Sequence, residues 1–227
     1  MTAFLPRSRP AWACWSLLLF ALSCGLTGRA ESVAQAVPLF NGQDLAGWEC
    51  ITPEKTAIAS VCHLSPGGVL VVDGKPVGYL QTTADSSNYR LHFEWRWSAV
   101  PGNSGVLVHI ATGPLDRNLW PRCFQIQTKV ARVGDLLPMA GAAFAETLST
   151  KPGAKTPQLD HAAAGGEKPA GQWNTCDIIC RGDTIEVVIN GLRQNRVTKC
   201  TPASGRIGFQ LEGAPYELRR VELTSLR

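Results

Sequence analysis

Glu94, Arg96, Asn103 and His109 fall together in the stretch 89–110, YRLHFEWRWSAVPGNSGVLVHI, and supply a carboxylate, a permanent cation, an amide and an imidazole. A carboxylate or imidazole can move a proton, and a guanidinium can hold a developing negative charge. Farther along, Gln125 and Gln127 alternate in WPRCFQIQ, and Gln210 and Glu212 alternate in RIGFQLE. Paired amides suit a hydroxyl-rich ligand, because each both donates and accepts hydrogen bonds. Trp120 opens the first of these runs and is the aromatic to inspect as a sugar platform. Each position also reads as the ordinary solvated face of a sheet, and spacing alone does not choose between the two.

The elements that must position these residues are strands. Tyr89, Leu91, Phe93, Trp95 and Trp97 alternate with Arg90, His92, Glu94 and Arg96, which makes one long strand with an apolar and a charged face. A turn at 101–105 and the run Val106–Ile110 predict its partner, so the pattern reads as a hairpin. The expectation is that Glu94 and Arg96 share a face and lie near Gln127. Shorter strands are predicted at 61–64, 69–72 and 78–81, divided by PGG and DGKP turns. Residues 173–198 read as a three-strand meander with an Asn190-Gly191 turn. Two last strands follow at 206–212 and 216–223. In the second the apolar parity changes between Leu218 and Val221, which requires a β-bulge at Arg219-Arg220. No sustained helical period occurs after residue 36, so the expected fold is all-β, two antiparallel sheets packed as a sandwich.

Residues 146–171, ETLSTKPGAKTPQLDHAAAGGEKPAG, form a long loop, the kind that is either functional or mobile. His161 within it reads as solvated, because nothing local would hold its ring. Residues 1–36 have the layout of a secretory signal peptide: Arg7 and Arg9, the apolar run from Ala11 to Leu22, then small residues with cleavage points after Ala30 or Ala36. That run is short for a membrane span of roughly 20 residues. A lipoprotein anchor at Cys24 is the alternative, although Ala21 stands where such a motif wants Leu. Export to the periplasm or the cell exterior is therefore expected, with no membrane attachment once the leader is removed.

Lys and Arg number 22 against 18 Asp and Glu, and 19 against 17 without the leader. So small an excess, spread over many strands, offers no footprint for nucleic acid. Six of the eight cysteines lie beyond the leader: Cys50, Cys62, Cys123, Cys176, Cys180 and Cys200. Cys176 and Cys180 stand roughly 13 Å apart on one strand, beyond disulfide reach. Cys50 with Cys62 and Cys180 with Cys200 are the preferred pairings, and six buried thiols the alternative. The cysteines form no Cys-x-x-Cys pair, so the sequence calls for no metal or other cofactor, while a divalent cation stays open.

The segments LFNGQDLAGW, GVLVVDGKPVGYLQT, YRLHFEWRW with GNSGVLVHI, WPRCFQIQ, GQWNTCDIICRGDTIEVVING and GRIGFQLEGAPYELRRVEL resemble, in number and order, the domain of unknown function 1080 family, the 3-keto-disaccharide hydrolase domain. The resemblance covers almost all of residues 37–227. It implies an exported bacterial protein with a concanavalin-like jelly roll, a sugar site on one concave sheet, and cleavage of glycosides oxidised at C3. The chain departs from the family at Gln125, where the family has Glu, at His109, where it has Arg, and at Leu218-Arg219-Arg220, where it has Phe-Arg-Asn.

A ketone at C3 acidifies the C2 proton, so a base removes it, the enolate is stabilised and the C1 substituent is expelled. Water adding back makes the enzyme a hydrolase; without that step it is a lyase. On this reading Glu94, Glu212 and His109 are candidate bases or acids and Arg96 stabilises the enolate. Asn103, Gln125, Gln127 and Gln210 bind hydroxyls. The sugar or glycoside is the partner expected. The competing class is a lectin-like, non-catalytic carbohydrate-binding module on the same sandwich.

Overall fold

The computed structural model describes residues 1–2, 35–164 and 166–226. Residues 3–34 of the expected leader, with Cys14, Cys24 and the cleavage point after Ala30, lie outside the described residues. From Gln35 onward the described residues form one compact unit. Its strands are β1 (Val37–Pro38), β2 (Trp48–Ile51), β3 (Cys62–Ser65), β4 (Val69–Val72), β5 (Gly78–Thr82), β6 (Tyr89–Trp97), β7 (Gly105–Asp116), β8 (Trp120–Gln127), β9 (Leu136–Met139), β10 (Asn174–Arg181), β11 (Thr184–Ile189), β12 (Leu192–Val197), β13 (Arg206–Leu211) and β14 (Tyr216–Ser225). A single 3-10 turn, Ile58–Ser60, is the one helical element among the described residues.

Two antiparallel sheets result. The first runs β12-β11-β10-β6-β14-β4-β3, with β1 paired to β14, and the second runs β2-β5-β13-β7-β8-β9. They face one another across an aromatic core. Phe93 of the first sheet meets Phe209 of the second edge-on at 5.4 Å, and Trp48 lies 5.9 Å from Phe209 on the other side. Tyr89, Leu91, Phe93, Trp95 and Trp97 are all buried in that core, as the alternation of β6 requires. Each contributes on the order of 1.5–3 kcal/mol relative to exposure.

The meander β10-β11-β12 forms as expected. So does the bulge in β14: its register against β6 shifts between Arg219 and Glu222, and Arg220 takes φ 51°. The hairpin expected over 89–110 does not form. β6 pairs with β10 and β14, whereas β7 pairs with β13 and β8, so residues 98–104 carry the chain from one sheet to the other. Two neighbouring strands with opposed apolar faces satisfy their patterns equally well side by side or across a sandwich; here the apolar faces meet through the core.

The six cysteines at 50, 62, 123, 176, 180 and 200 are free thiols, and neither preferred pairing is made. The 146–171 segment carries no strand, yet it is tied down. Leu159 exchanges two backbone hydrogen bonds with Leu136 at 2.9 Å, and Glu146 accepts from the backbone and hydroxyl of Thr198.

Candidate functional site

On β8 and β13 the side chains that turn away from the core are Gln125, Gln127 and Gln210, opposite in parity to Phe124, Ile126, Phe209 and Leu211. They floor a cleft of about 980 Å³ on the outer face of the second sheet. Glu212, just beyond β13, and Asn103, just before β7, close one end of it. One wall is the β7–β8 hairpin, through Pro114, Leu115 and Arg117. The other is the 146–171 segment, through Leu148 and residues 154–158.

The floor depends on a glycine. Gln210 Nε2 donates to Gln125 Oε1 at 3.3 Å, and the two amides meet over Gly105, where a Cβ would come within 2.6 Å of Gln210 Oε1 and 2.8 Å of Gln125 Nε2. The backbone of Gln210 is pinned from beneath, its carbonyl accepting from Ser104 Oγ and Tyr216 Oη, each at 2.9 Å. Gln127 Oε1 is spent on the backbone N–H of Lys129. Two buried acceptors of the cleft, Gln210 Oε1 and Asn103 Oδ1, have no partner among the described residues. Buried polar atoms left open at a cleft are positions for a ligand's donors.

Glu212 accepts a hydrogen bond from Asn103 Nδ2 at 2.5 Å. Burial raises its pKa above the ordinary 4.5, and the positive charges of Arg117 and Lys129 offset only part of that rise. Two further carboxylates line the cleft. Asp116 is ion-paired to its neighbour Arg117. Asp135, buried, accepts from the backbone and Nδ1 of His161 at 2.8 and 2.6 Å and from Gln158 at 3.4 Å, and lies 3.7 Å from Arg132. Glu212 alone of the three makes no ion pair among the described residues.

Of the nine candidates, Asn103, Trp120, Gln125, Gln127, Gln210 and Glu212 converge. Trp120 is the one aromatic among the described lining residues, but it is buried, 6.2 Å from Tyr79, and offers no flat platform. Glu94, Arg96 and His109 are elsewhere. Glu94 and Arg96 sit on the outer face of the first sheet, on the far side of the core from Gln127. There Glu94 binds Arg219 and Arg220, and Arg96 binds Glu217 at 2.6 Å. Burial pushes the Glu94 pKa up, but the two arginines outweigh it and hold the carboxyl below its usual value. Arg96 and Arg219 also stack on Trp173, at 4.6 and 4.1 Å. The predicted bulge therefore serves this ion-pair network, not the cleft.

His109 should share a face with Gly105 and Leu107 by parity. An irregularity between Val108 and Ala111, with φ 55° at His109, turns the ring into the core between Tyr89 and Phe124. Its Nδ1 donates to the Pro202 carbonyl at 3.1 Å, and burial drives its pKa down to about 4 despite that bond. His161 is corrected in the opposite sense, being held by Asp135 rather than free in solvent.

Arg117, Lys129, Arg132 and Asp135 were missed by the sequence reading. The signal for the last three was the short apolar run LLPM after WPRCFQIQ, which makes β9 a hairpin partner of β8 and brings residues 128–135 to the Gln127 end. Among the described residues no three His, Cys, Asp or Glu side chains gather as metal ligands, and no helix is long and apolar enough to cross a membrane.

A family model for a 3-keto-alpha-glucoside-1,2-lyase-like domain matches residues 35–224. Among solved structures, a candidate glycosyl hydrolase from Parabacteroides distasonis is 20% identical over 85% of this chain and 100% of its own, with a TM-score of 0.60. A non-specific endo-beta-1,3(4)-glucanase of family GH16 is 13% identical, covering 86% of this chain and 92% of that one, at 0.60. The carbohydrate-binding module CBM66 from Bacillus subtilis is 10% identical, covering 79% and 96%, at 0.54. At these identities the likeness is one of fold, the concanavalin-like jelly roll. No curated protein matches the chain.

Proposed function

Because the chain belongs to the family of 3-keto-alpha-glucoside-1,2-lyase-like domains, matched over residues 35–224, we propose that it cleaves the glycosidic bond of sugars oxidised at C3, with Glu212 as the base. The observation that carries this reading is the state of Glu212: a half-buried carboxylate, raised in pKa, unpaired among the described residues, and facing the open amides of the cleft. Double displacement on an unoxidised glycoside uses two carboxylates flanking the bond. The other two lining carboxylates are committed to Arg117 and to His161 with Arg132. Elimination needs one base.

Glu212 takes the proton from C2, and the electron pair of that C–H bond forms the enolate with C3–O. The enolate collapses to the ketone as the C1–C2 double bond forms, and the C1–O bond breaks to release the aglycone oxygen, which takes up a proton. Arg117 and Lys129, whose charges already act at Glu212, offset the enolate's charge. Gln125 and Gln210 hold the ring hydroxyls. Water adding across C1–C2 completes hydrolysis; its omission leaves the unsaturated sugar. The leader-like stretch at 1–36 supports a site of action outside the cytoplasm.

The test is the rate of aglycone release from a C2-deuterated 3-keto-glucoside. A primary isotope effect or solvent exchange at C2 is expected, and Glu212→Gln should lower turnover on the order of 10² to 10⁴-fold. Since the base acts ionised, kcat/KM falls as pH drops through the raised Glu212 pKa, at a midpoint above that of an ordinary glutamate. Undiminished turnover in Glu212→Gln, with no exchange at C2, overturns the assignment. Glycan binding without release from any keto-sugar establishes a binding module instead.

A further inference from the structure

The proposed reaction uses only half of the cleft. Across the second sheet, Gln210, Gly105 and Gln127 stand side by side; the next row brings Gln125 and Leu137 to the cleft, and the row beyond brings Met139. Successive rows lie about 7 Å apart, so the floor changes from amides to apolar side chains within about one sugar ring. The walls change with it. Pro114 and Leu115 face the cleft from the β7–β8 hairpin, and Leu148 and Pro157 from the other side. Leu115 is 53% exposed, an apolar side chain held over the cleft without being packed.

The polar groups of the second wall are already engaged. The Gln158 amide donates to Asp135 and Asp160, and Arg132 is ion-paired to the same two carboxylates. Lys155 and Thr156 remain, both exposed at the rim. A second sugar placed here would bring several hydroxyls to a surface with few free partners, and each one left unsatisfied weakens binding. A hydrocarbon ring would meet leucine, methionine and proline.

We propose that this half of the cleft is a slot for an apolar, ring-sized aglycone, so that the substrates are keto-glycosides of hydrophobic alcohols rather than keto-disaccharides. The inference rests on the keto-glycoside reading above. Leu115 is its specificity determinant. It closes over the aglycone from the hairpin side while the sugar occupies the amide end.

The comparison is between cyclohexylmethyl 3-keto-glucosides and 3-keto-gentiobiose or 3-keto-isomaltose, matched by anomer. All release a primary alkoxide and differ in whether the leaving ring is hydrocarbon or sugar. We expect kcat/KM to favour the cyclohexylmethyl compound by about 10- to 100-fold, and Leu115→Ser to bring that ratio down several-fold. Equal rates, or a preference for the disaccharides, overturn the slot; an unchanged ratio in Leu115→Ser overturns the assignment of Leu115. If no keto-glycoside turns over, the reaction reading fails by itself. Calorimetric titration with unoxidised cyclohexylmethyl glucosides against gentiobiose and isomaltose then decides the slot, tighter binding of the former supporting it and equal binding overturning it.

Discussion

A methyl group at Gly105 would press on Gln210 Oε1 and Gln125 Nε2, the two amide ends that meet there. Both are tips of flexible side chains, and Gln125 Cγ, at 2.9 Å, turns with its own amide, so Gly105→Ala should leave the fold intact and spread the amides instead. The expected outcome is a melting temperature within a few degrees of wild type and sugar affinity weakened about 10-fold, read by calorimetric titration and by KM. A large loss of stability would show that the amide pair cannot move. Gln125, Gln127, Gln210 and Glu212 were legible because each alternates with core residues within a few positions. Glu94 and Arg96 obey the same alternation. What separates the two sets is the sheet to which their strand belongs, and no residue type records that.

Among the elements, β7 shows how one irregularity changes what a residue does. His109 is fully buried and neutral, with a pKa near 4 against about 6.5 in an unfolded chain. The unfolded state therefore binds the proton first. Stability contributed by the neutral ring is complete above about pH 6.5 and is lost as pH falls towards 4. Asn tolerates the positive φ at this position, so His109→Asn should fold. The fall in unfolding free energy between pH 7 and 4.5 should be smaller in the variant by on the order of 2 kcal/mol, measured by denaturant titration at both pH values. An identical fall in both proteins would mean that the ring takes up its proton as readily in the native state as in the unfolded chain. β14 has an irregularity of the same kind, which aims Arg219 and Arg220 at Glu94. That one was legible, because the apolar parity changes in the strand itself; around His109 the apolar residues run on without a break.

For the molecule as a whole, a leader-like stretch followed by six cysteines beyond residue 36 invites disulfides, yet the sandwich holds them as thiols, five buried and Cys50 partly so. Burial pushes Cys62, Cys180 and Cys200 up to about 12. Cys123 and Cys176 are raised further. The protein lacking residues 1–36 should melt at the same temperature with and without reductant, and its five buried thiols should react with an alkylating reagent only on unfolding, Cys50 alone being open to it before. A fall in melting temperature on reduction would reveal a bridge.

The sequence by itself determined the all-β class, the core faces of β6, β13 and β14, the meander, the bulge in β14 and the shared face of Gln125 and Gln127. Those features follow from a two-residue period or a turn dipeptide, interactions short enough to be written locally. The tertiary structure decided that β6 and β7 lie in different sheets, that His109 turns inward, that Asp135 holds His161, and that Glu212 is the free carboxylate of the cleft. An amphipathic strand buries its apolar face equally well in either sheet of a sandwich. Which strands become neighbours, and so which polar faces meet, is settled only by packing between residues far apart in the chain.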